Sequence, residues 1–195
     1  MNKKSIAIIG EGPTEKIYFD QLRVAEKVDF KILPDFTHSN LEDMIQKAQR
    51  CVAEGYDDVF VLVDMDIILS EKSKRDFYEM SKKDNPRIKF VESNPCTEYW
   101  FLMHFLPSIS TKEYTNYDEV VKDLRKHIPG YDKCQRVLSK IRIYQTLKNS
   151  GDMENAIKMS ETLERKRIDH PEEYPSYSYM HQVIKKIYEY MNDKG

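Results

Sequence analysis

The chain has 195 residues, enough for one sizeable core or a core with a small helical lobe. Charged residues make up 33% and the formal net charge is -2, so the signs are mixed and bulk attraction to polyanions is not implied; contact with nucleic acid needs a local patch. Aromatic content of 11%, with 13 tyrosines, argues against disorder, and no segment approaches the roughly 20 apolar residues of a membrane span.

The first element is a buried strand over 5–10, which runs through a glycine turn into a helix with Pro13 in its first turn. That helix points Ile17, Tyr18, Leu22 and Ala25 inward. "DFKIL" (29–33) reads as a second, shorter strand. The next helix has Ser39 and Glu42 in capping-box spacing and ends at Gly55, with an apolar stripe of Leu41, Met44, Ile45, Ala48 and Val52. "DVFVLVDMD" (58–66) is the clearest buried strand, followed by a polar helix over 70–83 and a fourth strand in "RIKFVES" (87–93). Four alternations of strand and helix predict a mostly parallel sheet flanked by helices, an α/β fold. The first and third strands are expected to be neighbours.

After Asn94 the pattern becomes helical. "NPCTEYWFLMHFL" is entered through Asn94 and Pro95, and helices are predicted at about 117–128, 132–149, 152–168 and 177–192. Cys51, Cys96 and Cys134 are odd in number and lack C-x-x-C spacing, so no disulfide framework is implied. The apolar run after the basic start is too short for a signal peptide, which points to a cytoplasmic protein with no membrane association.

The opening loop, "IAIIGEGPTEKIYF", sits where α/β folds place phosphate loops. It carries Glu15 where a dinucleotide fingerprint needs glycine, and it lacks the G-K-[ST] of a P-loop. Glu11 instead supplies an oxygen at the carboxyl end of the first strand, where ligand sites of open α/β sheets lie. The plainer alternative is a solvated turn at Glu11, with Glu15 complementing the helix dipole. Asp64 and Asp66 follow a buried run directly and, two apart on a strand, face the same side. Paired acids raise each other's pKa unless a cation lies between them, and oxygen ligands suit Mg²⁺ or Mn²⁺. Asn94 and Glu98 share one helix face at the same sheet edge, so Glu98 is a further metal ligand or a group that steadies one. Trp100 and His104 are also four apart; Trp100 reads first as core, and a lone histidine is more often structural than catalytic. Lys133 in "GYDK" and the run Arg165, Lys166, Arg167 are candidates for holding phosphate if they border that edge.

These stretches, "EGPTEKIYF", "YDDVFVLVDMD", "SNPCTEYWFLMHF", "GYDK", "NAIKMSETL" and "PSYSYMHQVIKKI", together resemble the RloB family, over nearly the whole chain and in the family's order. These are bacterial proteins with a Toprim domain, often found with restriction or abortive-infection systems. The resemblance implies a Toprim-like α/β core over 1–106. A C-terminal helical region over 107–195 is appended to it, packed on the core or integrated with it. It implies Glu11 as a general acid or base, and Asp64 and Asp66 as holders of Mg²⁺ for phosphodiester cleavage. Glu15, Asn94, Glu98, Trp100 and His104 become members of the site region.

The function this predicts is a Mg²⁺-dependent phosphodiesterase, a nuclease in phage defence, acting on DNA or on RNA such as tRNA. The rival is a non-catalytic metal-binding module that docks a partner ATPase, which the net charge of -2 favours, since an autonomous nuclease usually carries a basic groove. A nucleotidyl-transfer role is a third reading. A partner ATPase is implied by analogy alone, and oligomeric state is left open.

Overall fold

The computed structural model describes residues 5–34 and 37–192. Strand β1 (Ile6–Ile9) is buried at every position, and β3 (Asp58–Asp64) is buried up to Val63. Unbroken apolar runs of this kind form strands covered on both faces by helices. With β2 (Lys31–Leu33), β4 (Ile88–Asn94) and the short β5 (Tyr177–Ser178) they make a five-stranded sheet in the order β2-β1-β3-β4-β5. All pairs are parallel except β4 with β5.

The chain leaves β1 through α1 (Pro13–Ala25) for β2 on one side, then returns through α2 (Leu41–Ala53) to β3 on the other. Right-handed crossovers put α1 on one face, and α2 and α4 (Lys72–Asp84) on the opposite one. Gln49 of α2 accordingly donates to Asn85 at the end of α4, at 2.8 Å. Strand order reverses between β1 and β3, and ligand crevices in open α/β sheets lie at the strand ends of such a reversal.

Several elements differ from expectation. The cap of α2 is Asn40, whose side chain accepts from the Asp43 N–H, so the helix starts one residue later than a Ser39 and Glu42 pair would set. Ala25, at the frayed end of α1, is exposed, while Phe19 is buried. Helix α3 (Met65–Leu69) starts directly after β3, where a strand through Asp66 is predicted. α5 (Thr97–Met103) and α6 (Tyr117–Leu124) follow β4. The helix predicted over 132–149 is two: α7 (Gln135–Ile141) and α8 (Ile143–Ser150), broken at Arg142 with φ of 48°. A non-glycine residue in that conformation leaves no mark in a hydrophobic pattern. α9 (Met153–Asp169) is capped by Asp152. The last predicted helix opens instead with β5, and α10 begins at His181 (His181–Asn192). The edge of β4 recruits β5, and the Ser93 and Ser178 hydroxyls lie 2.7 Å apart.

Residues of both halves of the chain join one apolar cluster. At its centre the indole N–H of the fully buried Trp100 on α5 donates to the Tyr18 hydroxyl on α1, at 3.2 Å. The Tyr18 ring packs against Phe19, Phe101 and Tyr144 at centroid distances of 5.0, 5.3 and 5.6 Å. Thus α1 ties α5 to α8 across the core. Trp100→Ala leaves a cavity there and should lower stability by about 3–5 kcal/mol in urea denaturation. Trp100→Phe keeps most of the ring packing and should cost much less; equal costs would show that the indole volume does not hold this junction.

Candidate active site

After β1 the chain turns through Gly10, Glu11 and Gly12. A Cβ on Gly10 would lie 2.7 Å from Glu15 Cβ, and one on Gly12 2.8 Å from His38 Nδ1. Both glycines are therefore set by close approach of neighbouring side chains. The Gly12 N–H donates to Glu15 Oε2 at 3.1 Å, so Glu15 folds back under the loop and is buried. The Glu11 carbonyl accepts from the Ser39 N–H at 2.8 Å, which holds the segment before α2 against the turn. Glu11 Oε1 accepts from the Asp64 N–H at 3.2 Å and so reaches across to the end of β3.

Asp64 closes β3. Its Oδ1 accepts from the N–H and the hydroxyl of Thr97, at 2.8 and 3.0 Å. Asp66 does not share a strand face with it: it stands in the first turn of α3, its N–H donating to the Pro95 carbonyl and its Oδ1 accepting from the Ile67 N–H. Glu98, on the first turn of α5, is buried and accepts from the Tyr131 hydroxyl at 3.0 Å. All five carboxylates, of Glu11, Glu15, Asp64, Asp66 and Glu98, line one cavity of about 590 Å³. Its far wall comes from the segment before α7, with Asp132, exposed Lys133 and Cys134, and from Tyr117.

So much acid in a partly closed space is costly to ionise. Burial first, then the charge of Glu15, pushes Glu11 up to about 8, against the opposing pull of the Asp64 amide. Burial pushes Glu15 up to about 7, with the charge of Glu98 adding to it. Burial and the surrounding carboxylates, Glu11 foremost, hold Asp64 well above its ordinary range. Asp66 and Glu98 are also raised by burial, and Lys133 acts on both in the opposite sense. Burial and Glu98 push the Cys96 thiol well up, which leaves it a protonated packing residue on the cavity wall.

The donor set fits a hard divalent ion in kind: carboxylate oxygens with raised proton affinity and one cation facing them. Among the described residues, the only groups placed with three ligand atoms mutually within 4.8 Å are the exposed His170, Glu172 and Glu173, not the cavity acids. Mg²⁺ does not need that convergence, because it usually keeps several waters and takes one or two carboxylates.

The remaining candidates separate. Lys133 borders the cavity, its side chain over the Tyr117 ring. Asn94 instead donates to the Pro175 carbonyl and helps fasten β5. Trp100 belongs to the core. His104 is buried, bonded through Nδ1 to the Trp100 carbonyl, with Met153 sulfur beside Nε2; burial lowers it to about 4, so it is neutral. Arg165 is exposed on α9 and bonds Thr162, while Arg167 covers the Tyr177 ring and bonds carbonyls of Pro171 and Tyr174. His38 lines the cavity, and Thr97 and Tyr131 bond its acids Asp64 and Glu98, without having been singled out for it. Thr97 and Tyr131 sit inside quoted motifs, whereas nothing in the sequence marks His38.

A family model described as RloB-like protein matches residues 6–187, nearly the whole chain. No curated protein and no solved structure matches it.

The electrostatics make a test of their own. Glu11 and Glu15 bind protons more tightly in the fold than at the ordinary 4.5, so their contribution to stability is full below about 4.5 and is lost as pH rises through about 7 to 8. In EDTA the melting temperature should fall across that interval. Glu15→Gln keeps an oxygen for the Gly12 N–H and removes a charge, so it should flatten the slope and raise the melting temperature at the alkaline end. A pH profile identical to the wild type would mean Glu15 is not part of the strain.

Proposed function

The chain belongs to the RloB-like protein family, and on that premise we propose that the acidic cavity is the active centre of a divalent-metal-dependent phosphodiesterase of Toprim type acting on nucleic acid. The observation that carries this reading is the meeting of Glu11, Asp64, Asp66 and Glu98 at the strand reversal, with five raised carboxylates against one lining lysine. Asp64 and Asp66, with Glu11 and Glu98 in the same cavity, would hold Mg²⁺ or Mn²⁺. A bound ion there would stabilise charge on the scissile phosphate and supply an activated water.

The chain's own groups have distinct tasks. The two bonds from Thr97 fix the Asp64 carboxylate. Tyr131 steadies Glu98. Without an ion, burial and the Glu15 charge raise Glu11 to about 8, and from its place beside Asp64 its carboxyl group could give a proton to a leaving oxygen or take one from the attacking water. Lys133, on the opposite wall, can pair with a non-bridging phosphate oxygen. A role in phage defence beside a partner ATPase rests on the family resemblance alone.

The rival, a metal-binding module without turnover, also has an observation in its favour: each lining carboxylate already accepts an internal hydrogen bond or lies buried among those that do. Labelled DNA, RNA and tRNA incubated with and without Mg²⁺ or Mn²⁺ separate the two. Cleavage should require the ion, and Asp64→Asn should lose both cleavage and the metal-dependent rise in melting temperature. Glu11→Gln should fold, keep most metal affinity and cleave about 10²–10⁴-fold more slowly. A metal-dependent thermal shift with no cleavage of any substrate would assign the site to binding.

A further inference from the structure

A second groove opens beside the acidic cavity and shares Glu11 and Ile67 with it. It measures about 300 Å³ and lies between the start of α2, α3 and α4. Its apolar walls are Leu41, Ile67, Ile68 and Phe77, and Asn40, Glu42 and Lys74 border it. Two of those walls are open, Ile67 at 50% and Phe77 at 38% exposed, while Ile68 is buried beneath them. Among the described residues, four of the six exposed large apolar side chains (Ile67, Leu69, Phe77 and Met80) stand on α3 and α4, while Val24 and Ile168 stand singly elsewhere. Scattered apolar residues need no explanation, but a cluster at the rim of a cavity marks a binding surface.

Three features choose the occupant. The groove is at the small end of ligand pockets, sized for a flat ring with a sugar and too short for a docked helix with anchors over two turns. It is continuous with the cavity proposed to hold a phosphodiester, through the two residues they share. Its lining carries the acids Glu11 and Glu42 and one cation, Lys74, which is 43% exposed; besides a bond to the Ser70 hydroxyl its ion pair is with Glu71, itself 59% exposed, and such surface pairs exchange at little cost, so Lys74 is the group there that can meet a phosphate. Phe77 lines the groove and is 38% exposed. Asn40 accepts the Asp43 N–H through Oδ1, which leaves its amide hydrogens for an acceptor on a base edge.

We propose that this groove is a nucleobase subsite of the acidic cavity, in which the base next to the phosphodiester lies against Phe77 and Ile67 and Lys74 pairs with the adjoining phosphate. The proposal rests on the phosphodiesterase reading and adds where substrate is gripped. Base–aromatic stacking is tolerant of sequence, so the subsite would set strand affinity more than base identity.

The test is fluorescence anisotropy of the full chain with short fluorescein-labelled single strands of DNA and RNA, in EDTA and in Mg²⁺. Phe77→Ala should weaken binding about 5- to 100-fold, and Phe77→Tyr should restore it. Ile67→Ser should weaken it less. The metal-dependent melting shift should stay unchanged in both Phe77 variants, because Phe77 does not line the acidic cavity. Replacing one nucleotide at a time by an abasic analogue should reveal one position at which the loss in wild type and the loss from Phe77→Ala are not additive. If wild type cleaves or binds the strands and Phe77→Ala does so equally well, the subsite falls while the phosphodiesterase reading stands. If wild type binds no strand under any condition, both fall. A concentration-dependent dimer that Phe77→Ala abolishes, with strand affinity unchanged, would assign the face to a second copy of the chain and overturn the proposal.

Discussion

Uncompensated negative charge at the carboxyl end of a parallel sheet is the constraint around which this protein is arranged. The acids of the cavity are held by neutral donors: the amides of Gly12, Asp64, Ile67 and Thr97, and the hydroxyls of Thr97 and Tyr131. Such donors fix direction but remove no charge. Elsewhere the same chain treats acids differently. Asp58 meets Lys89 and Lys186, Glu26 meets Lys148, and Asp123 meets Lys112 and Lys126, and all three have lowered pKa values. The chain has 31 lysines and arginines, so the scarcity of cations in the cavity is a matter of placement. An acidic cluster with rigid, neutral supports is suited to accept a cation from outside.

The stretch "SNPCTEYWFLMHF" shows how one continuous motif divides between charge and packing. Its first residues work at the cavity: Thr97 orients Asp64, and Glu98 adds an acid. One turn later Trp100 enters the core against Tyr18. His104 closes the helix, its carbonyl accepting from the Asp152 N–H at 2.7 Å and its side chain lying where a Cβ on Gly151 would come within 2.7 Å. The histidine thus positions the start of α9. A helix can serve both ends because successive turns of α5 face different neighbours, the sheet edge first and the helical layer next.

Unbroken apolar runs and the alternation of strand with helix made the parallel sheet legible, and with it the meeting of Glu11 with Asp64, because neighbouring strands fix where their ends lie. What was not legible depended on single backbone conformations or very short elements. The turn into α3 right after Asp64 follows no periodicity, so Asp66 was expected on a strand. Arg142 breaks a continuous helical pattern without glycine or proline. β5 spans two residues, too few to carry an alternation. His38 reaches the cavity mouth only through the close approach to Gly12, a contact between residues whose spacing encodes nothing. Arg165 and Arg167 read as a phosphate patch by composition, yet the fold directs them to Thr162 and to the Tyr177 ring.

The helical half also completes the cavity. Asp132 and Lys133 line it, Tyr131 bonds Glu98, and all three precede α7; α7 and α8 pack on α1, where the Tyr144 N–H donates to Gln21 and the Tyr144 hydroxyl to Glu26. The hydroxyl that steadies Glu98 and the lysine that faces the acids therefore reach the cavity only while that packing holds. Because α1 also carries Glu15 at its start and Tyr18 against Trp100, a shift of α1 would move an acid, the core indole and the far wall together. Interiors packed at crystal density transmit such shifts rather than absorbing them. The charge state of the cavity is thus coupled to the docking of the helical half through α1, a single rigid element that both share.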